Sequence, residues 1–419
     1  MAGPGGAAAP ARTSPARRLP PEIVIVAGCL IAMITWGPRS AAGALQLPVL
    51  QTYGWSTEAY AFAFAIQNLL WGLFQPVAGA FADRVGTMRV LALGGLLYTS
   101  GVGLMAFSST PATFTFTVGV LTGLGLSGCS LNLVVAGFGK IVPPKMRPVA
   151  FGLVTASASF GQFVFSPVAG ALIETFDWRT ACLVFAGLVL FIAPLSWFVA
   201  SAPLAETNRA SGLETKGALA TLRDALSHRS YVLVVVGFFT CGFQLQFITV
   251  HFQRYIVESG LSANVGYWAF AMVGLFNIVG SLTAGWMCTR MPRRYVLAGV
   301  YFSRAVLTLI FINLPPAPIN AYLFGALSGL LWLSTLPPTS AMVNQMFGSG
   351  NFGMLYGFAF CSHQIGGFLG VLLGGVLRSW TGSYDATWYL SIALGVASAL
   401  ITLPIVEKSV EQARAPAPA

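Results

Sequence analysis

Twelve long apolar runs, six before a single charged linker and six after it, constrain this 419-residue chain more than any other feature. The runs cover about 22–50, 57–82, 89–109, 113–138, 148–175 and 180–202, then 230–257, 262–289, 294–314, 320–346, 352–379 and 385–407. A helix needs about 20 apolar residues to cross the hydrocarbon core of a bilayer. Within lipid every backbone N–H and C=O must bond internally, which leaves helices as the spanning element for runs of this length. The fold expected is therefore an all-α membrane protein of twelve transmembrane helices in two six-helix bundles. Composition agrees: only 8% of residues are charged, against about 25% in soluble domains.

The expected organisation is a tail over 1–21, a first bundle over 22–202, a linker over 203–229, a second bundle over 230–407 and a tail over 408–419. Residues 1–21, rich in Ala, Pro, Gly and Arg, have no apolar segment ending in a small-residue cleavage site, so no secretory signal is read there. In the linker, GALATLRDAL is expected as a short surface helix. The net charge of +10 taken alone fits a nucleic-acid partner, but its distribution points to topology instead. With the N-terminus inside, seventeen of the 22 Lys and Arg fall in tails and loops on the inner face, as the positive-inside rule requires. The expected setting is the cell's inner (plasma) membrane, multi-pass, with both termini cytoplasmic and no nucleic-acid partner. The halves also repeat: FGLVTASASFGQFVFSPVAG at 151–170 aligns with YGFAFCSHQIGGFLGVLLGG at 356–375, an offset of 205. Two pseudo-symmetric halves are a way transporters build a site at mid-membrane.

Enzyme chemistry has no footing in the residues. The six cysteines lie in apolar runs without metal-ligand spacing and read as buried thiols. There is no nucleophile–base pattern and no phosphate loop, so ATP is not the driving force and no cofactor is expected.

Charges inside the spans point to a site, because an Arg at a helix centre costs about 2.5–3.5 kcal/mol on insertion scales and is kept for a purpose. Arg39 follows Gly37-Pro38 in the first span. Proline removes a backbone donor and bends the helix, which can aim the guanidinium at a central path. Arg forks onto carboxylates, so a lone Arg there reads as a receptor for an anion; the alternative is a side chain snorkelling to the interface. Arg304 lies mid-span in the ninth run, either bonding carbonyls of neighbouring helices or adding a second cation to the path. No Asp or Glu occupies the middle of a span. His251 and His363 are then the candidates for proton coupling, since imidazole titrates near neutral pH. Gln67, Asn132, Asn277, Tyr356 and Gln364 are candidate polar cavity groups, each with plain packing as its alternative.

Gly79-x-x-x-Asp83-Arg84-x-Gly86-x-x-Arg89, after the second run, resembles the loop signature of the major facilitator superfamily. That resemblance implies the major facilitator fold and a gating role for Asp83 and Arg84 on the cytoplasmic side. The echo after the eighth run has Thr289 where an acid belongs. WGPRSAAG at 36–43 is similar to the first helix of monocarboxylate transporters and of oxalate/formate antiporter relatives. By that resemblance, which is specific only here and at residues 276–277, 366–370 and 380–384, Arg39 binds the carboxylate of a small organic acid. The chain departs from those families in the eighth helix, with Asn277 and Ser281 where they carry an acid and a base. The function expected is secondary transport of a small organic anion, foremost a monocarboxylate, by proton symport or anion exchange. The alternative is an efflux pump for drugs or other amphipathic molecules on the same fold.

Overall fold

The structure, a computed structural model, describes residues 19–199 and 218–408. Most of the expected linker and both tails lie outside the described residues. Twelve helices are long and apolar enough to cross a membrane. They are α1 (Pro21–Tyr53), α2 (Thr57–Val85), α3 (Thr87–Met105), α4 (Pro111–Gly139), α5 (Arg147–Thr175) and α6 (Trp178–Val199). After the linker come α7 (Arg229–Glu258), α8 (Ala263–Met287), α9 (Arg293–Asn313), α10 (Pro318–Gly348), α11 (Phe352–Thr381) and α12 (Asp385–Thr402). The linker helix spans Ala218–Leu226.

Local chemistry sets the boundaries. Ser56 accepts a bond from the Ala59 N–H and starts α2, while α1 ends on Gly54 in the left-handed region (φ 67°), where glycine carries no side-chain penalty. Asp177 starts α6 by accepting from the Thr180 N–H at 2.6 Å. That bond to the ionised form holds the carboxyl of this loop residue below its usual range. At the far end of the fold Glu407 takes the Arg294 backbone N–H at 2.7 Å and pairs with Arg293 at 3.6 Å, tying the chain after α12 to the start of α9.

Four of the helices are interrupted, α6 only by a turn at Phe191. In α1 the helix hesitates at Ala41, just after Pro38 and Arg39. In α4 a π-helical stretch (Thr115–Leu121) precedes a full break at Cys129–Ser130, after which a fresh segment, Leu131–Ile141, begins. In α10 the helix stops at Leu331 and restarts at Leu336. The sequence offset of 205 carries Ser130 onto Thr335, so the two breaks are related positions of the internal repeat.

The first six helices meet the last six along α2–α11, α5–α8 and α1–α7. Gly274 of α8 shows how close this approach is: a Cβ there would lie 2.6 Å from the Phe163 nitrogen and 2.7 Å from the Ser159 oxygen. Hydrogen bonds joining the halves start near mid-depth with Asn277 donating to Ser159 (2.9 Å). They continue through Gln46–His251, Gln253–Ser166 and Ser166–Tyr267 O to Arg254–Thr57 at the helix ends. These bonds tie the halves together from mid-depth to one face, and the residues that line the central cavity lie from mid-depth toward the other face, that of the loops at 86 and 142–146.

Candidate functional site

That cavity holds about 820 Å³ of space not filled by atoms, open solvent included. Trp36, Trp71, Phe270, Trp332, Tyr356 and Phe360 form much of its wall. Arg39 is the one Asp, Glu, Lys or Arg among its lining residues.

Arg39 sits at the bend of α1 and is only 8% exposed. Its Nη2 donates to Asn68 Oδ1 of α2 and to Gln246 Oε1 of α7, both at 2.6 Å. The guanidinium carbon lies 4.7 Å from the centroid of the Trp71 ring and 5.9 Å from that of Trp36, the spacing at which a ring's electron-rich face attracts a cation. Trp36 stands one turn before Arg39 on the same helix, and Trp71 one turn after Asn68. Nε of Arg39 has no hydrogen-bond partner among the described residues. The cation is thus held in place by neutral oxygens and aromatic faces, with no carboxylate among the described residues neutralising it. Such a group keeps its capacity to bind an anion, because charge-assisted bonds to carboxylates are stronger than bonds to amides.

The other predicted residues divide. Asn132, Tyr356, His363 and Gln364 all line the same cavity as Arg39. His363 of α11 is 5% exposed, stacked on Phe360 with rings 7° from parallel, and its Nδ1 lies 3.0 Å from Gln364 Oε1. Its backbone is pressed against α7: a Cβ at Gly242 would overlap the His363 carbonyl oxygen, so only glycine allows this approach.

Asn277 does not line the cavity. It bridges Ser159 and the Leu333 N–H (2.9 Å), joining the halves and holding the restart of α10. Gln67 turns into the first bundle and donates to the Val118 carbonyl of α4 at 3.1 Å. Neighbouring residues on a helix point about 100° apart, so while Asn68 bonds Arg39, Gln67 lines a smaller pocket inside the first bundle, which Arg39 and Tyr98 also border. His251 lies on the bonded side of the fold, with Nδ1 3.2 Å from both Gln46 Nε2 and Tyr384 Oη and Nε2 2.9 Å from the Val371 carbonyl. Asp83 and Arg84 are exposed at the end of α2 on the opposite face. Arg304 is 6% exposed and stays behind the cavity wall. It donates to the carbonyls of Leu331 and Trp332, and its Nη1 lies 3.4 Å from the Cys241 sulfur.

Two features of the site escaped sequence reading. The tryptophan pair around Arg39 was readable in principle from the Trp36-x-x-Arg39 spacing. Ser130, at the break of α4, carried only a weak signal in the Gly-Cys-Ser step of an apolar run.

Twelve spanning helices, an internal repeat and a central cavity between the halves are the architecture of a membrane transporter. The chain belongs to the Major Facilitator Superfamily, whose model matches residues 24–332 and 258–419. It is 26% identical to an uncharacterised MFS-type transporter, YcxA, of Bacillus subtilis over 88% of this chain and 91% of that one. It is also 24% identical to monocarboxylate transporter 12 of Mus musculus, over 94% of this chain and 87% of the mouse protein. Among solved structures, a bacterial homologue of the human lysosomal transporter Spinster matches with a TM-score of 0.74 at 13% identity, covering 94% of this chain and 99% of that one. A D-xylose-proton symporter matches with a TM-score of 0.70 at 14% identity, covering 93% and 99%. The chain is a multi-pass membrane transporter and not an enzyme.

Proposed function

We propose that this transporter carries a small organic anion, foremost a monocarboxylate, and that Arg39 receives the carboxylate. The observation that carries the reading is the buried, uncompensated guanidinium in the cavity wall, bonded only to amide oxygens. A carboxylate reaching Arg39 meets the partnerless Nε beside Nη2, the edge onto which it forks in bidentate fashion. Doing so competes with Gln246, the α7 amide that links Arg39 to the other half. Substrate binding thereby loosens one bond between the halves and couples occupancy to their rocking. His363 and Gln364 complete the polar part of the wall, and His363 is the titratable group there for proton coupling.

With the Lys- and Arg-rich loops on the cytoplasmic side, both termini are cytoplasmic, the cavity faces inward, and His251 belongs to the outer closure. Similarity to monocarboxylate transporter 12 supports the same substrate class. Efflux of amphipathic cations is the second reading, favoured by the aromatic wall. The lack of any Asp or Glu among the lining residues weighs against it.

The test is uptake of labelled carboxylates into proteoliposomes, with and without an imposed pH gradient or internal counter-substrate. Carboxylate uptake lost in Arg39→Ala and partly retained in Arg39→Lys is the expected result. Acceleration by the gradient marks symport, and a requirement for internal anion marks exchange. Wild-type protein that moves no carboxylate but expels a cationic dye would overturn the reading.

A further inference from the structure

The breaks in α4 and α10 are related by the repeat, yet they are finished in opposite ways. At the α10 break protein groups take up the freed backbone. Arg304 donates to the Leu331 and Trp332 carbonyls, Asn277 Oδ1 accepts the Leu333 N–H, and Thr335 Oγ1 lies 3.1 Å from the Cys241 sulfur. At the α4 break the equivalent hydroxyl, that of Ser130, has no partner among the described residues, and the residue is 2% exposed. The segment that restarts there, Leu131–Ile141, has no side-chain cap. The Leu133 N–H already donates to the Ser130 carbonyl at 3.0 Å, which leaves the N–H groups of Leu131 and Asn132 at the positive end of the helix dipole. Ser130, Leu131 and Asn132 line the cavity that Arg39 lines. The break is also tied to α1 one turn from Arg39, where Thr35 Oγ1 lies 3.5 Å from the Cys129 carbonyl.

We infer that the α4 break is a second subsite, in which Ser130 Oγ–H and the first N–H groups of the Leu131–Ile141 segment bind an oxygen acceptor on the substrate. Arg39 takes the carboxylate and the α4 break takes a second, neutral or anionic oxygen. Substrates are then short acids bearing a keto, hydroxyl or further carboxyl oxygen, and Ser130 sets the preference for them over plain alkyl acids. The subsite builds on the carboxylate reading of Arg39, but it rests on separate groups. Both breaks border the cavity, the α10 break through Trp332, Leu333 and Leu336; what sets the α4 break apart is its buried hydroxyl without a partner among the described residues, whereas its counterpart shows that this fold can satisfy such a break with its own side chains.

The test is isothermal titration of the purified full-length protein with pentanoate, 2-oxopentanoate and 4-oxopentanoate. Wild type is expected to bind at least one oxo acid about tenfold more tightly than pentanoate, the worth of one good hydrogen bond. Ser130→Ala is expected to erase that preference while leaving pentanoate binding in place, and Ser130→Thr to restore it. Ser130→Cys, near in size and a weaker donor, serves if alanine disturbs the turn, and is expected to reduce the preference. Arg39→Ala is expected to weaken all three acids alike. A wild type without preference, or a Ser130→Ala protein that loses all three acids in equal proportion, overturns the subsite alone. If Arg39→Ala leaves all three acids bound while Ser130→Ala erases the preference, the Arg39 reading fails and the subsite stands. No binding of any acid by wild type overturns both.

Discussion

Replacing Arg304 by leucine separates a structural cation from a transport cation. The side chain satisfies two buried carbonyls at the interruption of α10, Leu331 O twice and Trp332 O once. Removing it leaves both acceptors without that partner, at about 1–3 kcal/mol each, or about 2–6 kcal/mol together. Leucine also removes a buried charge, which returns part of that loss. Against a typical total of about 5–15 kcal/mol, even the lower figure is large. The thermal midpoint of purified protein, followed by intrinsic fluorescence, is expected to fall by several degrees. Substrate affinity measured well below both midpoints is expected to stay close to wild type, because Arg304 does not line the central cavity. An unchanged midpoint combined with lost affinity would refute this reasoning and put Arg304 on the path.

Other perturbations test neighbouring parts of the account. Gln246→Ala removes an acceptor that competes with substrate for Arg39, so carboxylate affinity in a titration is expected to rise by up to about tenfold; unchanged affinity would contradict the competition. Asn277→Leu deprives the Leu333 N–H and Ser159 of their partner and is expected to cost about 1–3 kcal/mol, read as a lowered thermal midpoint. Asp177→Ala removes the start of α6. Because Asp177 titrates below the ordinary carboxylate range, its contribution is present above the unfolded pKa of about 3.9 and lost as pH falls through the lower folded value. The midpoint gap between variant and wild type is therefore expected at neutral pH and closes in strongly acid buffer.

The spans were legible because hydropathy and length fix a helix in lipid almost by themselves. The tenth run, read as 320–346, is Pro318–Gly348, and the first, read as 22–50, is Pro21–Tyr53. Arg39 was legible for the same reason, since a charge in an apolar run has few uses. What periodicity could not give was destination. Arg304 reaches a carbonyl 27 residues away, at a break in α10 that Pro337-Pro338 mark in the sequence without naming the side chain that fills it. Asn277 looked like a cavity amide but spans the joint between the halves, a contact between chain segments 118 residues apart. Gln67 was grouped with the cavity amides by chemistry, whereas its side chain turns into the first bundle and its neighbour Asn68 holds Arg39. Ser130 was invisible as a site because a hydroxyl in an apolar helix usually bonds its own backbone, and only the broken geometry of α4 leaves it without a partner.

The most direct measurement is the affinity of wild type, Arg39→Ala and Arg39→Lys for a short carboxylate and for its uncharged amide, by titration on purified protein. A charge-assisted bond is worth about 1.5–3 kcal/mol, so Arg39→Ala is expected to bind the carboxylate about 10- to 150-fold more weakly, with Arg39→Lys between the two. The amide is expected to bind weakly to all three proteins. Equal carboxylate affinity in wild type and Arg39→Ala would contradict the claim that this guanidinium is the anion receptor.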